Sequence, residues 1–233
     1  KGVCYLGLVY KKLNEDSNQQ NACCAAQMFL DSGDGMVFRG NVGPWYNPRS
    51  NEFHLDKKDA FEIISQSLEA FKDYSSTDEY PEEVFIHAKT YFDEDEWEGF
   101  TEATNGKSKI IGVRIRDDSA FKLHRDYSYC IPRGSLLKYS ENRAYLWTRG
   151  FIPRLQTQLG LEVPNPLSIE ITRGESEIET VSKDVLALTK LNYNTCSYGD
   201  GLPVTLKFAE SIGEILTAGK DIKSSVLPFK HYI

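Results

Sequence analysis

Carboxylates could do metal chemistry in this 233-residue chain, and the candidate carboxylates fall in two places. Asp31 and Asp34 flank a glycine turn, while Asp93 and Asp95 belong to an acidic run that ends at Glu96. Carboxylates of this kind can hold two divalent cations about 4 Å apart and so cleave phosphodiesters. Turn geometry explains the first pair without chemistry, and stabilisation of a helix start explains the run. A divergent metal-dependent nuclease that uses these aspartates is therefore the alternative hypothesis.

Other catalytic templates are missing from the sequence. It contains no GxSxG, HExxH, Walker A or GxGxxG pattern. Its five cysteines include one adjacent pair and form no CxxC, which favours reduced thiols in a cytoplasmic protein over disulfides or structural zinc. The four histidines are far apart along the chain, so only folding could collect them. His87, at the end of a predicted strand, is expected to be a structural hydrogen-bonding residue.

The charge distribution singles out the second half of the chain. The net charge is −7, but residues 1–106 carry −11 and residues 107–233 carry +4. Residues 122–154 combine seven Lys and Arg with two acids and six aromatic residues. Basic side chains neutralise phosphates and aromatic rings stack on unpaired bases, so this segment is typical of nucleic-acid binding. Arg143, Arg149 and Arg154 are the predicted phosphate contacts; a solvated strand face over an aromatic core is the alternative.

The hydrophobic pattern predicts an α/β fold with a mixed sheet, and its element order is that of the ribonuclease H-like fold. Strands are predicted over 2–10, 22–30, 35–39, 83–87, 109–116, 128–131, 135–139, 143–148 and 167–172. Helices are predicted over 57–74, 93–104 and 178–191, and from Pro203 onward. The first three strands are expected to form an antiparallel meander. No stretch of ~18 apolar residues predicts a membrane span.

Two helices carry specific local predictions. In the helix over 57–74, apolar residues from Phe61 to Phe71 recur at helical spacing and predict the buried face. At the start of the next helix, Asp93 and Glu96 have the spacing of a capping box, in which each side chain accepts a backbone hydrogen bond from the other residue.

The predicted strands lack the acids that a ribonuclease H-like nuclease needs. Such an enzyme holds its metal ions with carboxylates, one of them central on the first strand. The first strand here contains no Asp or Glu on either face. The strand that ends at His87 should deliver a second carboxylate, but Ala88 and Lys89 follow it.

Four segments, in matching order and spacing, carry a resemblance to a known family. They are Ala25–Phe29 with Gly33–Gly40, Phe85–His87 with Phe92, Glu96, Gly99 and Phe100, Tyr145–Gly150, and Leu188–Asn194 with Leu202–Glu210. Together they resemble the PIWI domain of prokaryotic Argonaute proteins over nearly the whole chain. The resemblance implies a ribonuclease H-like fold, with residues 1–233 as a single PIWI domain and a MID half upstream of Lys1.

The resemblance also implies that the nuclease site is degenerate. Active members carry an Asp-Glu-Asp-Asp/His set. Leu8 or Val9 stands at the first of these positions, and Ala88 or Lys89 stands at a later Asp position. Two-metal cleavage has no physical basis without at least two carboxylates. The chain is therefore expected to be catalytically inactive, of the short or the inactive long Argonaute type.

The resemblance also implies a binding site for the 5′ end of a guide strand. Many prokaryotic members use the terminal carboxylate, here on Ile233, to hold a divalent cation against the guide 5′-phosphate. Because a carboxylate and a phosphate repel each other, Mg²⁺ must bridge them, with cationic side chains nearby. The candidate side chains are Lys190, Lys207 and Arg149, together with Asn192 and Asn194 in the closing segment. A tail packed only for stability is the alternative.

The leading hypothesis is guide-dependent nucleic-acid binding and target recognition without slicer activity, in cytoplasmic defence against plasmids or phages. The implied partners are a guide and a target strand, each RNA or DNA, the MID half, and an effector such as a nuclease, Sir2-like or TIR-like protein. No membrane partner is expected. A protein-interaction domain that has lost nucleic-acid binding is a third hypothesis.

Overall fold

The computed structural model describes residues 2–12, 21–28, 35–43, 46–47, 52–74, 79–126, 128–158, 162–191, 201–218 and 227–228. These residues fall into two compact units. The first draws on residues 1–112, 172–174 and 205–233, and the second on residues 113–171 and 175–204. No helix in the described ranges is both long and apolar enough to cross a membrane.

The elements follow the predicted order. The strands are β1 (Val3–Lys12), β2 (Asn21–Met28), β3 (Gly35–Gly43), β4 (Tyr46–Asn47), β5 (Glu52–Phe53), β6 (Glu83–Ala88), β7 (Lys109–Asp117), β8 (Leu136–Lys138), β9 (Arg143–Leu146), β10 (Leu167–Arg173) and β11 (Leu227–Pro228). The helices are α1 (Lys57–Tyr74), α2 (Glu94–Thr104), α3 (Ile178–Leu188) and α4 (Val204–Ala218), with a 3-10 helix at Pro153–Leu155. The predicted α/β class is confirmed. The two-residue strands β4, β5 and β11 were not predicted.

The first unit contains a mixed sheet in the order β11-β3-β2-β1-β6, followed by the start of β7. β1 pairs antiparallel with β2, and β2 pairs antiparallel with β3, so the predicted meander is confirmed. β1 runs parallel to β6, with Leu6 opposite Ile86 and Gly7 opposite His87. β1 is buried on both faces from Cys4 to Val9, as its unbroken apolar run predicts.

One face of β1 packs against α1 and α2. Cys4, Leu6 and Leu8 lie in a single core with the buried side chains of both helices. Phe61 was wrongly predicted to join this core, because its side chain is 43% exposed. α2 approaches α1 so closely at Gly99 that an added Cβ would lie 2.9 Å from the Cβ of Ala60. This approach turns the Ala60 side of α1 inward and leaves Phe61 at the edge of the buried stripe.

The start of α2 forms one of the two hydrogen bonds of the predicted capping box. Asp93 is the N-cap, and its Oδ1 accepts a hydrogen bond of 2.9 Å from the Glu96 N–H, as predicted. The Glu96 side chain does not return to the cap. It points inward and is 1% exposed, because Tyr10 and Leu55 donate to its Oε1. Glu96 is therefore part of the protein interior.

Three aromatic rings pack beside this helix start. The Trp97 ring centroid lies 5.9 Å from that of Phe92 and 6.2 Å from that of Phe100. The Phe92 and Phe100 rings meet edge to face at 6.0 Å. Ring pairs at these spacings add to the stability gained from burial. The first turn of α2 is thus fixed by aromatic packing on the residue next to Glu96.

The second unit contains the end of β7 followed by β10, β9 and β8 in that order. β10 pairs antiparallel with β9, which places Glu170 opposite Arg143. The predicted strand at 128–131 is wrong. Pro132 follows it directly and has no N–H to continue a ladder, so only an isolated bridge to Phe151 forms there. The helix predicted to reach residue 191 ends at Leu188.

Candidate functional site

The position where the resemblance expects the first nuclease carboxylate is apolar. Leu8 is 1% exposed and belongs to the core that β1 shares with α1 and α2. Ala88, one residue beyond the His87–Gly7 pairing, is also 1% exposed and belongs to the same core. Val9 is buried on the other face. These three side chains offer no atom to a metal ion.

Lys89, the remaining residue at these positions, lies at the surface after β6. Its Nζ forms an ion pair with the Glu210 carboxylate of α4. A cation in this place repels a second cation, so the Lys89 ammonium is not a metal ligand.

The opposite face of β1 is closed by α4. A Cβ on Gly7 would lie 2.4 Å from the Thr205 carbonyl oxygen, so only glycine allows this approach. Beside it, His87 Nδ1 lies 3.0 Å from Thr205 Oγ1 in a hydrogen bond. Burial lowers the pKa of His87 to about 3, so the imidazole is neutral at physiological pH. The structural role predicted for His87 is confirmed.

Polar side chains meet in the first unit, where β1, the segment before α1 and the start of α2 converge. His54, Asp93 and Glu96 each offer one ligand atom, and these atoms lie within 4.8 Å of one another. His54 Nδ1 is 3.6 Å from Glu96 Oε2. We call this group the His54 cluster. Tyr10 OH donates to Glu96 Oε1 at 2.5 Å and the Leu55 N–H donates to the same oxygen at 3.3 Å.

The electrostatics of the His54 cluster follow from burial and from its carboxylates. Burial raises the pKa of the Glu96 carboxyl, although the neighbouring His54 and the hydrogen bond from Tyr10 oppose the rise. Glu96 in turn raises the pKa of His54. Asp93 and Glu52 add to this rise through their charges, and burial opposes it. Negative charge at Glu96 is thus costly unless a positive charge lies beside it.

The cluster contains one of the aspartates of the alternative nuclease hypothesis. Asp93 is a member, whereas Asp95 is not among its three residues. Asp31 and Asp34 lie outside the described residues. The structure therefore brings His54 together with Asp93 and Glu96. The sequence analysis paired the two acids as a capping box but did not connect His54 to them.

In the second unit, Arg143 lies in a row of charges that crosses three strands. Its register partner on β10 is Glu170, whose Oε2 is 3.6 Å from Arg114 Nη1 on β7. The Arg143 guanidinium also lies over the rings of Tyr145 and Tyr139, at 5.4 and 5.7 Å from their centroids. A cavity of about 290 Å³ opens between these strands, lined in part by Arg114, Arg116 and Arg143.

Arg149 contacts the segment that leads into α4. A Cβ on Gly201 would lie 2.7 Å from Arg149 Nε, so the guanidinium packs directly on this glycine. Thr148 Oγ1 donates to the Gly201 carbonyl at 2.7 Å. The segment Tyr145–Gly150 therefore contacts the residue directly before the segment Leu202–Glu210.

The other predicted phosphate contacts are dispersed. Arg154 is exposed in the 3-10 helix, and Lys190 is exposed just after α3. Lys207 is half-buried on α4, in the first unit. Asn192, Asn194 and Ile233 lie outside the described residues, so the predicted Mg²⁺ site at the guide 5′-phosphate stays a prediction.

The fold of this chain is shared with solved structures. Its sequence matches no protein-family model and no curated protein. The structure aligns over 92% of the chain with Clostridium butyricum Argonaute bound to a guide DNA and a 19-mer target DNA (TM-score 0.70, 17% identity). It aligns over 99% of the chain with Marinitoga piezophila Argonaute in complex with a 5′ OH guide RNA (TM-score 0.61, 16% identity).

The chain has the ribonuclease H-like fold of an Argonaute PIWI domain. A third structure, Aa-Ago with externally bound siRNA, aligns over 98% of the chain (TM-score 0.62, 13% identity). The chain spans between 27% and 31% of the length of these three Argonaute proteins.

Within this PIWI fold, sequence reasoning missed two sets of polar residues. Arg114 and Arg116 alternate with apolar residues on β7. This two-residue period indicates that both arginine side chains lie on the same face of the sheet. The role of Glu96 was missed because a capping box and an inward-facing carboxylate require the same spacing from Asp93. No local signal linked His54 to either acid.

Proposed function

We propose that this chain takes part in guide-dependent nucleic-acid binding and target recognition. The observation that carries the proposal is agreement of the fold, over more than nine-tenths of the chain, with Argonaute proteins solved with guide strands. The guide and the target are each RNA or DNA, because contacts to phosphates do not distinguish the two.

The basic side chains of the second unit support this function. Arg154 and Lys190 are exposed, as phosphate contacts must be. Arg143 is held by two tyrosine rings, which limits its rotamers before a ligand binds. Arg149, Asn192 and Asn194 complete the proposed set, together with Lys207 of the first unit. Backbone contacts of this kind position a strand without reading its sequence.

We further propose that the chain binds without slicing. Leu8 and Ala88 are buried aliphatic side chains, and neither can ligate a metal ion. A two-metal mechanism needs carboxylates that bridge both ions and neutralise the charge of the transition state. Catalytic output then comes from a partner, such as a nuclease, Sir2-like or TIR-like effector. The biological setting is cytoplasmic defence against plasmids or phages, with a MID half binding the guide 5′ end.

Mg²⁺ at the guide 5′-phosphate is part of this proposal. The Ile233 carboxylate would hold the ion, which bridges two groups that otherwise repel each other. Amidation of the terminus removes the charge with little change in packing. If Ile233 acts in this way, amidation weakens binding of a 5′-phosphorylated guide more than binding of a 5′-hydroxyl guide. Equal losses for the two guides assign the tail to packing alone.

The alternative is a divergent divalent-metal-dependent nuclease of the Argonaute or ribonuclease H-like class. The observation that favours it is the presence of Asp93 in the His54 cluster. The native protein, incubated with guide, complementary target and Mn²⁺, separates the two functions. We expect guide-dependent target binding and no cleavage. Cleavage that is lost in Asp93→Ala, but retained in Glu98→Ala, an exposed acid of the same helix that the nuclease hypothesis does not use, overturns the binding-only function.

A further inference from the structure

The His54 cluster contains a buried carboxylate oxygen that accepts no hydrogen bond from the described residues. Glu96 is 1% exposed, and its Oε2 has no hydrogen-bond partner among the described residues. The same holds for His54 Nδ1, which faces it at 3.6 Å, beyond hydrogen-bond length. A buried acceptor without a partner costs free energy comparable to a lost hydrogen bond. Two such atoms that face each other indicate that a ligand belongs between them.

We propose that His54, Asp93 and Glu96 bind a divalent transition-metal cation of the Zn²⁺ class. His54 contributes Nδ1, Glu96 contributes Oε2 and Asp93 contributes a carboxylate oxygen. This set lies apart from the positions at Leu8 and Ala88, where the PIWI resemblance expects nuclease carboxylates.

The spacing and the ligand types select the metal. Ligand atoms about 2.1 Å from a tetrahedral Zn²⁺ are about 3.4 Å apart, close to the observed His54–Glu96 separation. Octahedral ligands of Mg²⁺ at about 2.1 Å lie only about 3.0 Å apart. An imidazole ligand also favours Zn²⁺, whereas Mg²⁺ prefers oxygen ligands alone. The Asp93 ligand atom lies within 4.8 Å of the other two, so a shift of at most about 1.4 Å brings it to the tetrahedral spacing.

The outer contacts are those that a metal site requires. Metal-binding histidines usually direct the second ring nitrogen to a carboxylate, and His54 Nε2 lies 3.7 Å from Glu52 Oε2. Ligating carboxylates are themselves held by hydrogen bonds, as Tyr10 and Leu55 hold Glu96 Oε1. These contacts leave only Oε2 directed at His54. Three protein ligands leave a fourth position for water or another ligand.

Metal content of the native protein tests the proposal without nucleic acid, so a failure of guide binding cannot affect the result. The protein is stripped with EDTA, desalted and dialysed against Zn²⁺ or Mg²⁺, and bound metal is measured by mass spectrometry. We expect about one Zn²⁺ per chain and no retained Mg²⁺. Co²⁺ in place of Zn²⁺ should give the visible absorption of a four-coordinate site.

Variants assign the metal to the cluster. Asp93→Asn keeps an N-cap residue and so keeps the helix start, yet it should lower Zn²⁺ affinity at least about tenfold. Glu96→Gln should abolish binding, and Glu52→Gln should weaken it by about tenfold. Asp95→Asn, in the same turn of α2, is the matched control and should bind as the native protein does. The proposal is overturned if the native protein retains no Zn²⁺, or if Asp93→Asn and Asp95→Asn retain it equally.

Discussion

Leu8 and Tyr10 lie two residues apart on the same face of β1, and their surroundings differ in polarity. Leu8 packs in the apolar core, whereas Tyr10, about 7 Å further along the strand, donates to the buried Glu96 carboxylate. A buried carboxylate persists in a fold only where partners compensate for its lost hydration. The difference shows that, on this face of β1, the interior is polar beside Tyr10 and apolar around Leu8.

Placing a carboxylate at the apolar position should have the largest effect. Leu8→Asp introduces an acid with no partner into a closed core, and we expect a loss of about 4 kcal/mol or more in the free energy of unfolding. Urea unfolding at neutral pH measures it. Leu8→Met conserves volume and should cost less than about 1.5 kcal/mol. Equal stability of the Asp and Met variants would mean that the site accepts charge, and the contrast between the two regions would then disappear.

Removing the carboxylate from the polar region should have the next largest effect. Glu96→Ala leaves the Tyr10 hydroxyl and the Leu55 N–H without their acceptor and removes the carboxylate that pairs with His54, at an expected cost of about 3 kcal/mol. Thermal and urea unfolding measure the loss. Glu94→Ala is the control, because Glu94 is exposed and its bond to Arg173 should contribute under about 1 kcal/mol. Comparable losses for the two variants would contradict the role assigned to Glu96.

The neutral histidine on the other face of β1 should make stability depend on pH. The pKa of His87 is about 3 in the folded chain and about 6.5 when unfolded, so the unfolded chain binds the proton first as pH falls. His87 should therefore reduce the free energy of unfolding by about 3 kcal/mol between pH 6.5 and pH 4. Unfolding curves of the native protein and His87→Gln should converge over this range. Parallel curves would show that His87 can be protonated in place.

The smallest effect is expected at the surface of the second unit. Arg154→Ala should weaken guide binding a few-fold for every guide sequence and reduce the slope of log affinity against log salt by about one. Titrations at several salt concentrations measure the slope. Lys109→Ala, an exposed lysine outside the proposed contacts, should leave it unchanged. A loss confined to one guide sequence would exclude a phosphate contact at Arg154.

The fold was predictable because its signals are local or periodic. The unbroken apolar run of β1 predicted a strand buried on both faces, and the spacing in α1 predicted a helix even though it misplaced Phe61. One failure arose from a neighbour distant in sequence, and the other from a proline directly after the predicted strand. Phe61 turned outward because Gly99 brings α2 against Ala60, and the strand at 128–131 was prevented by Pro132.

Only those features of the candidate site that follow from residue type could be predicted from the sequence. The lack of acids in the first strand is visible from residue types alone, and the degenerate nuclease site inferred from it stays a prediction. Glu96 could not be assigned in advance, because its inward direction depends on Tyr10 and Leu55, which the chain brings from two other elements. Arg154 and Lys190 were recognisable as exposed cations by composition, but composition does not specify their partners.

The aromatic packing at the start of α2 gives the chain an intrinsic optical probe. Trp97 is adjacent in sequence to Glu96, and its indole packs against the rings of Phe92 and Phe100. The fluorescence emission of Trp97 therefore reports on the first turn of α2 without any attached label. Subtracting the spectrum of Trp97→Phe from that of the native protein isolates this emission from the other two tryptophans. Occupancy of the neighbouring cluster by a quenching ion such as Co²⁺ could then be followed in real time, in the same cuvette in which a guide is added.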